Sequence, residues 1–169
     1  NKIQQRSKKK QDESFIDHMN VIIKHNKFTV SAYKTVLDDM ATKSGAKGWR
    51  SKLPGVGKGE EQVRIQQFIT IINNMSIEHQ KALEYDKLKG PARREIAKKS
   101  QVHTSYVKTI MRHYQQLYTM HKWLKEKEKK NEKLPSTQEE LQIQMAQNPP
   151  KMSQKDKQRM KQQHRMPNW

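Results

Sequence analysis

Three sets of residues in this chain have types and spacings that could do chemistry. The first is the glycine-rich run Leu53-Pro54-Gly55-Val56-Gly57-Lys58-Gly59, which has part of the outline of a phosphate-binding loop. Such a loop needs G-x-x-x-x-G-K and then a Ser or Thr whose hydroxyl holds magnesium. Here Gly59 replaces the hydroxyl, Lys52 stands in the place of the first glycine, and no strand pattern precedes, which argues against nucleotide hydrolysis. The second set is seven histidines: His18, His25, His79, His103, His113, His121 and His164. None pairs at the i, i+4 spacing that puts two metal ligands on one helix face, so they read as surface or phosphate-facing groups. Cysteine is absent, which removes a thiol nucleophile and a disulfide framework. No enzyme activity, metal or cofactor is expected.

The third set is the stretch from Lys89 to Lys122. It holds eight Lys or Arg (Lys89, Arg93, Arg94, Lys98, Lys99, Lys108, Arg112, Lys122) against the single acid Glu95, a net of +7. On a helix opening at Thr104, Lys108 and Arg112 lie opposite the apolar stripe, and His103, Thr104 and Ser105 place polar groups at its N-terminus, an arrangement suited to phosphates. A solvated charged face is the plain alternative. With so few acids to pair these cations, nucleic acid is the expected partner. The expected RNA contacts are Arg93, Arg94, Lys98, Lys99, Ser100, His103, Ser105, Lys108 and Arg112, with Lys8, Lys9, Lys10, Arg50, Lys52 and Lys58 as auxiliary phosphate binders. Binding of duplex DNA would need base-reading residues at the start of the Thr104 helix.

The elements that position these residues must be built from little. Of 169 residues only 32% are hydrophobic, while 35 Lys and Arg against 17 Asp and Glu leave a formal charge of +18. That supports one modest core with basic extensions. No apolar run is long enough for a membrane helix. The chain opens at Asn1 rather than at an initiator Met, so its compartment is not readable from this end. Residues 1–14 read as a basic arm that cannot fold alone. Phe15, Ile16, Met19, Ile22 and Ile23 then predict a short amphipathic helix. Thr29 caps a second helix through Val36, Leu37 and Met40, ending near Ser44-Gly45. A basic, glycine-rich loop follows from Lys43 to Gly59, and a third helix buries Val63, Ile65, Phe68, Ile69 and Ile72. Ser76 restarts the chain as an N-cap. Pro91 suits the first turn of a helix to about Lys99, and Thr104 to about Lys125 forms a longer one, giving helix, turn, helix. Beyond Lys125 the composition falls to Lys, Gln and Glu, with a capping box at Ser136-Thr137-Gln138-Glu139 opening a weak helix. The fold class is all-α: a basic arm (1–14), a helical RNA-binding domain with a helix-turn-helix (15–125), and a basic tail of low hydrophobicity (126–169).

The order of these elements resembles the methionine-rich M domain of the signal recognition particle's GTPase subunit. Phe28-Thr29-Val30 resembles the start of that domain, and Leu53-Pro54-Gly55-Val56-Gly57-Lys58 the end of its finger loop. Ile72-Asn73-Asn74-Met75-Ser76-Ile77-Glu78, then Ala92-Arg93-Arg94-Glu95-Ile96-Ala97-Lys98-Lys99-Ser100, resemble its core helix and RNA-binding helix-turn-helix. The resemblance spans roughly 15–125 and implies RNA binding through the helix-turn-helix and a signal-peptide groove closed by the finger loop. Met40, Leu53, Val56, Met75 and Met111 are the candidate groove residues, with core filling the ordinary role of methionines at this spacing. Where the family has an Arg before the Ile-Ala pair and a Gly-Ser-Gly turn after it, this chain has Glu95 and Lys99-Ser100-Gln101, which changes how closely the backbone meets RNA. Lys47-Gly48-Trp49-Arg50-Ser51-Lys52 stands where the family is mostly apolar.

Low-hydrophobicity basic ends need a large anionic partner to order them. The expected function is therefore a non-catalytic RNA-binding component of a large ribonucleoprotein, with a mitochondrial ribosome and its rRNA as the preferred setting and a cytoplasmic one as the alternative. Neighbouring proteins of the particle would be its other partners. A signal-sequence-binding targeting factor is the competing function.

Overall fold

The computed structural model describes residues 1–42, 61–82 and 88–151, then 153–155, 157, 158 and 161. Within these residues the chain is all-α, with α1 (Lys2–Ile23), α2 (Val30–Thr42), α3 (Glu61–Asn73), α4 (Ile77–Gln80), α5 (Gly90–Lys99), α6 (Thr104–Lys129) and α7 (Gln138–Gln147). Arg50, Lys52, Leu53, Val56 and Lys58, with the rest of the predicted basic loop, lie outside the described residues. None of the described helices is long and apolar enough to cross a membrane.

The 26-residue α6 is the spine. Its apolar positions Val107, Ile110, Met111, Tyr114, Leu117 and Leu124 recur at three- and four-residue intervals, so one face is buried along its length. Helices α1, α2 and α5 pack on that spine, and α3 packs on α2. Ile22, Phe28, Val36, Leu37, Ile65, Phe68 and Ile72 fill the space between them at 0 to 1% exposure. Each such side chain contributes about 1.5–3 kcal/mol by leaving water. The caps read from sequence hold: Thr29 Oγ1 accepts from the Ala32 amide at 3.1 Å, and Ser76 Oγ from the His79 amide at 3.2 Å.

Four local expectations are corrected. Residues 2–14 form the exposed first half of α1 instead of a separate arm, because the packed turn around Phe15, Met19 and Ile22 supplies a nucleus on which helix extends cheaply. On α3 the buried stripe contains Ile71 in place of Val63, which is 62% exposed. The capping box lies one residue later: Thr137 Oγ1 accepts from the Glu140 amide at 3.1 Å, and Glu140 Oε2 accepts from the Ser136 amide at 2.8 Å. Lastly, His18, His113 and His121 are buried, not on the surface.

Two of those histidines explain how polar rings fit in so small a core. His113 Nδ1 and Tyr33 Oη lie 2.6 Å apart between α6 and α2, with the hydroxyl donating to the neutral ring. His121 Nε2 donates to the His25 carbonyl at 2.6 Å, and Tyr114 Oη donates to the Phe28 carbonyl at 2.8 Å. The rings of Tyr114 and His121 both stack on Phe28, with centroids 6.0 and 5.3 Å away. Turn carbonyls that would otherwise be buried and unpaired are thereby satisfied, and the α1–α2 connection is tied to the spine. At the far end of α6, Trp123 Nε1 donates to the Asn148 carbonyl at 2.8 Å, which docks the end of α7.

Burial pushes the His113 imidazole down from 6.5 to about 4. Above pH 6.5 neither the folded nor the unfolded ring binds a proton, so its contribution to stability is complete. Between pH 6.5 and about 4 the unfolded chain binds the proton more strongly, so stability falls as pH falls. His121 and His25, both lowered mainly by burial, act in the same direction. Urea unfolding at pH 7 and pH 5 is expected to show a loss of about 2 kcal/mol from His113 alone. The variant His113→Gln, which keeps an acceptor for Tyr33, should lack that part of the loss; equal pH sensitivity of the two proteins would refute the assignment.

Candidate nucleic-acid interface

Helix α5 has Pro91 in its first turn and Lys98 and Lys99 in its last, which suits its macrodipole. Ile96 and Ala97 are buried against α6. That anchorage leaves Arg94, Lys98 and Lys99 exposed and Arg93 half-buried. Lys99 lies 3.2 Å from Glu95 in an exposed pair of little energetic weight.

The turn after α5 is held by its backbone. The Val102 amide donates to the Ala97 carbonyl at 3.0 Å and the Gln101 amide to the Lys98 carbonyl at 3.2 Å, the two bonds of a Schellman cap. The cap requires a left-handed residue at its centre, and Gln101 takes it with φ of 56°. Val102 follows it into contact with the core. From the turn just after α3, Asn74 Nδ2 donates to Ser100 Oγ at 3.0 Å and fixes the α5–α6 turn from the other side. Ser100 thus keeps its hydroxyl proton for a further partner.

At the start of α6 the His103 ring is the N-cap. Its Nδ1 accepts from the Ser105 amide at 3.2 Å and lies 2.9 Å from Ser105 Oγ. The ring proton is therefore on Nε2, where it remains a donor. His103 and Ser105 are engaged with each other, and both remain exposed. Lys108 and Arg112 stand exposed one turn apart beyond them. Among the described residues Arg93, Arg94, Lys98, Lys108 and Arg112 have no acidic partner within ion-pair distance.

The remaining candidates lie elsewhere. Lys8, Lys9 and Lys10 are on the exposed half of α1, with Lys9 4.0 Å from Glu13. Met40, Met75 and Met111 are packed in the core at 4%, 5% and 2% exposure. Two features near the turn escaped sequence reading. Arg64 of α3 sits over the Tyr106 ring of α6, 5.0 Å from its centroid. Beside it, an open groove of about 490 Å³ runs between α3 and the α5–α6 turn. The polar recurrence Gln62, Gln66, Thr70 was its visible signal.

A left-handed glutamine costs about 1 kcal/mol relative to glycine at the same place. Gln101→Gly is therefore expected to raise the melting temperature by about 3 °C. A decrease, measured by circular dichroism, would mean that the cap is not held as described.

A family model for the signal peptide binding domain matches residues 5–142. Among curated proteins, none matches. The matched region contains the helix-turn-helix and the core that fixes it, and the family is one of binding domains that hold RNA and signal peptides in the signal recognition particle. The chain belongs to the signal peptide binding domain family of the signal recognition particle.

Proposed function

We propose that this chain is a non-catalytic RNA-binding component of a large ribonucleoprotein, and that it grips structured RNA with the outer face of α5 and the N-terminal turns of α6. The observation that carries the reading is the group formed by Arg93, Arg94, Lys98, Lys108 and Arg112, without acidic partners among the described residues, on two helices whose inner faces are locked in the core. Cations held in this way meet phosphates without first breaking ion pairs, and each phosphate neutralised releases counterions. The exposed lysines of α1 and the basic tail extend the same chemistry. A phosphate-dense host suits them, and a mitochondrial ribosome is the host proposed here.

The family match favours a second reading, a targeting factor that binds signal sequences. It requires a peptide to reach the apolar residues of the domain. Crosslinks from Met40, Leu53 or Met111 to a nascent signal peptide would support it, and their absence on translating ribosomes would count against it.

Reversing Arg93, Arg94, Lys98 and Lys99 to Glu is expected to abolish ultraviolet crosslinking to RNA. Arg94→Ala and Lys108→Ala should each make the slope of log affinity against log salt shallower by about 1. Unchanged crosslinking in the fourfold variant would remove this face from the mechanism.

A further inference from the structure

The groove between α3 and the α5–α6 turn has a lining unlike the surface around it. The carboxamides of Gln62, Gln66 and Gln67 and the hydroxyl of Thr70 stand on the α3 side, and Gln101 on the turn, over the apolar Val63 and Ile71. None of its described lining residues is charged, on a chain in which 31% of residues are. Phosphate would find no charged side chain in this lining. Several of the polar groups are already pinned in one direction. Gln62 Nε2 donates to the Ala41 carbonyl at 3.0 Å, leaving its carbonyl oxygen as an acceptor. Thr70 Oγ1 donates to the Gln66 carbonyl at 2.9 Å, leaving lone pairs. Gln67 Oε1 faces Arg64 Nη1 at 3.4 Å, leaving its amide hydrogens as donors.

Oriented donors and acceptors beside an apolar surface are what a flat heterocycle with a polar edge requires, and a base lifted out of its stack is such a group. The groove includes Ser100 and Gln101, which in the chain fall between the Lys98-Lys99 pair and His103. A nucleotide whose phosphates lie on those groups would carry its base toward the groove. The exposure of Val63, otherwise a solvated β-branched side chain, also finds a use as part of the wall.

We propose that this amide-lined groove holds one unstacked nucleobase of the RNA whose phosphates are gripped by α5 and α6. The proposal rests on the RNA-binding reading above and adds a base-reading subsite to it. The sequence-specific part of recognition then lies on Gln66 and Gln67 of α3, outside the helix-turn-helix, while the cations supply affinity common to all sequences.

The test measures binding of the full chain to two hairpin RNAs, one with a purine-rich internal loop and one fully paired. Gln66→Ala with Gln67→Ala replaces exposed helix positions by the residue of best helix propensity, so folding is retained and is checked by a thermal melt. The expected result is about a tenfold loss of affinity for the looped hairpin with little change for the paired one. Thiouridine placed in the loop should crosslink to the peptide containing residues 62–70. Arg94→Ala with Lys98→Ala should instead weaken both hairpins. If the glutamine variant binds both hairpins like the parent chain, or loses equally on both, the subsite is overturned. If the cation variant weakens neither, the RNA-binding reading itself fails, and the two failures are told apart by which variant is silent.

Discussion

The structure depends on α6 serving two environments at once. One face of this helix carries Val107, Ile110, Met111, Tyr114, Leu117 and Leu124 into the core, while Lys108, Arg112 and Lys122 stay in water. A chain that is only 32% hydrophobic has few apolar groups with which to offset the entropy of ordering. It completes its core with rings that also make hydrogen bonds. Tyr33 to His113 and Tyr114 to the Phe28 carbonyl each place a donor on a buried acceptor, and His121 to the His25 carbonyl does so on a partly buried one. Removing one partner would leave a buried polar atom unmatched, at a cost of about 1–3 kcal/mol. The same bonds settle the angle at which α1 and α2 meet the spine.

A rigid spine is what gives the cationic face its direction. Ile96 and Ala97 fasten α5 to α6, the Schellman cap fixes the turn, and Asn74 ties it to the end of α3. The long side chains of Arg94, Lys98, Lys108 and Arg112 are exposed, and their backbone belongs to two helices packed on one another. Under the proposed function, phosphate binding would order side chains only. The contrast with Lys99, which is shared with Glu95, shows how sparsely acids are distributed along this face.

Much of this was legible in the sequence. Apolar residues at three- and four-residue intervals marked α2, α3 and α6, and Thr29, Ser76 and Pro91 marked helix starts by chemistry that acts within one turn. The helix-turn-helix and the family were readable from the Ile72–Glu78 and Ala92–Ser100 stretches, whose order matters more than any one residue. The histidines were misplaced because burial depends on a partner far along the chain: nothing near His113 announces Tyr33, and nothing near His121 announces the carbonyl of His25. Val63 fits the helical period as well as Ile71 does, and only the packing of α3 on α2 separates them. The left-handed Gln101 was hidden for a related reason, since glycine is the residue that usually signals such a cap. The groove joins α3 to a turn about thirty residues later, a relation that no local pattern contains.

The central claim is that this domain works by holding RNA in a particle. It is tested most directly by sedimenting the tagged chain from a lysate on a sucrose gradient, with and without ribonuclease, and sequencing the RNA that travels with it. The account predicts a fast-sedimenting pool that carries a defined structured RNA and disappears after ribonuclease. A chain that sediments as a small free protein whether or not ribonuclease is added would contradict it.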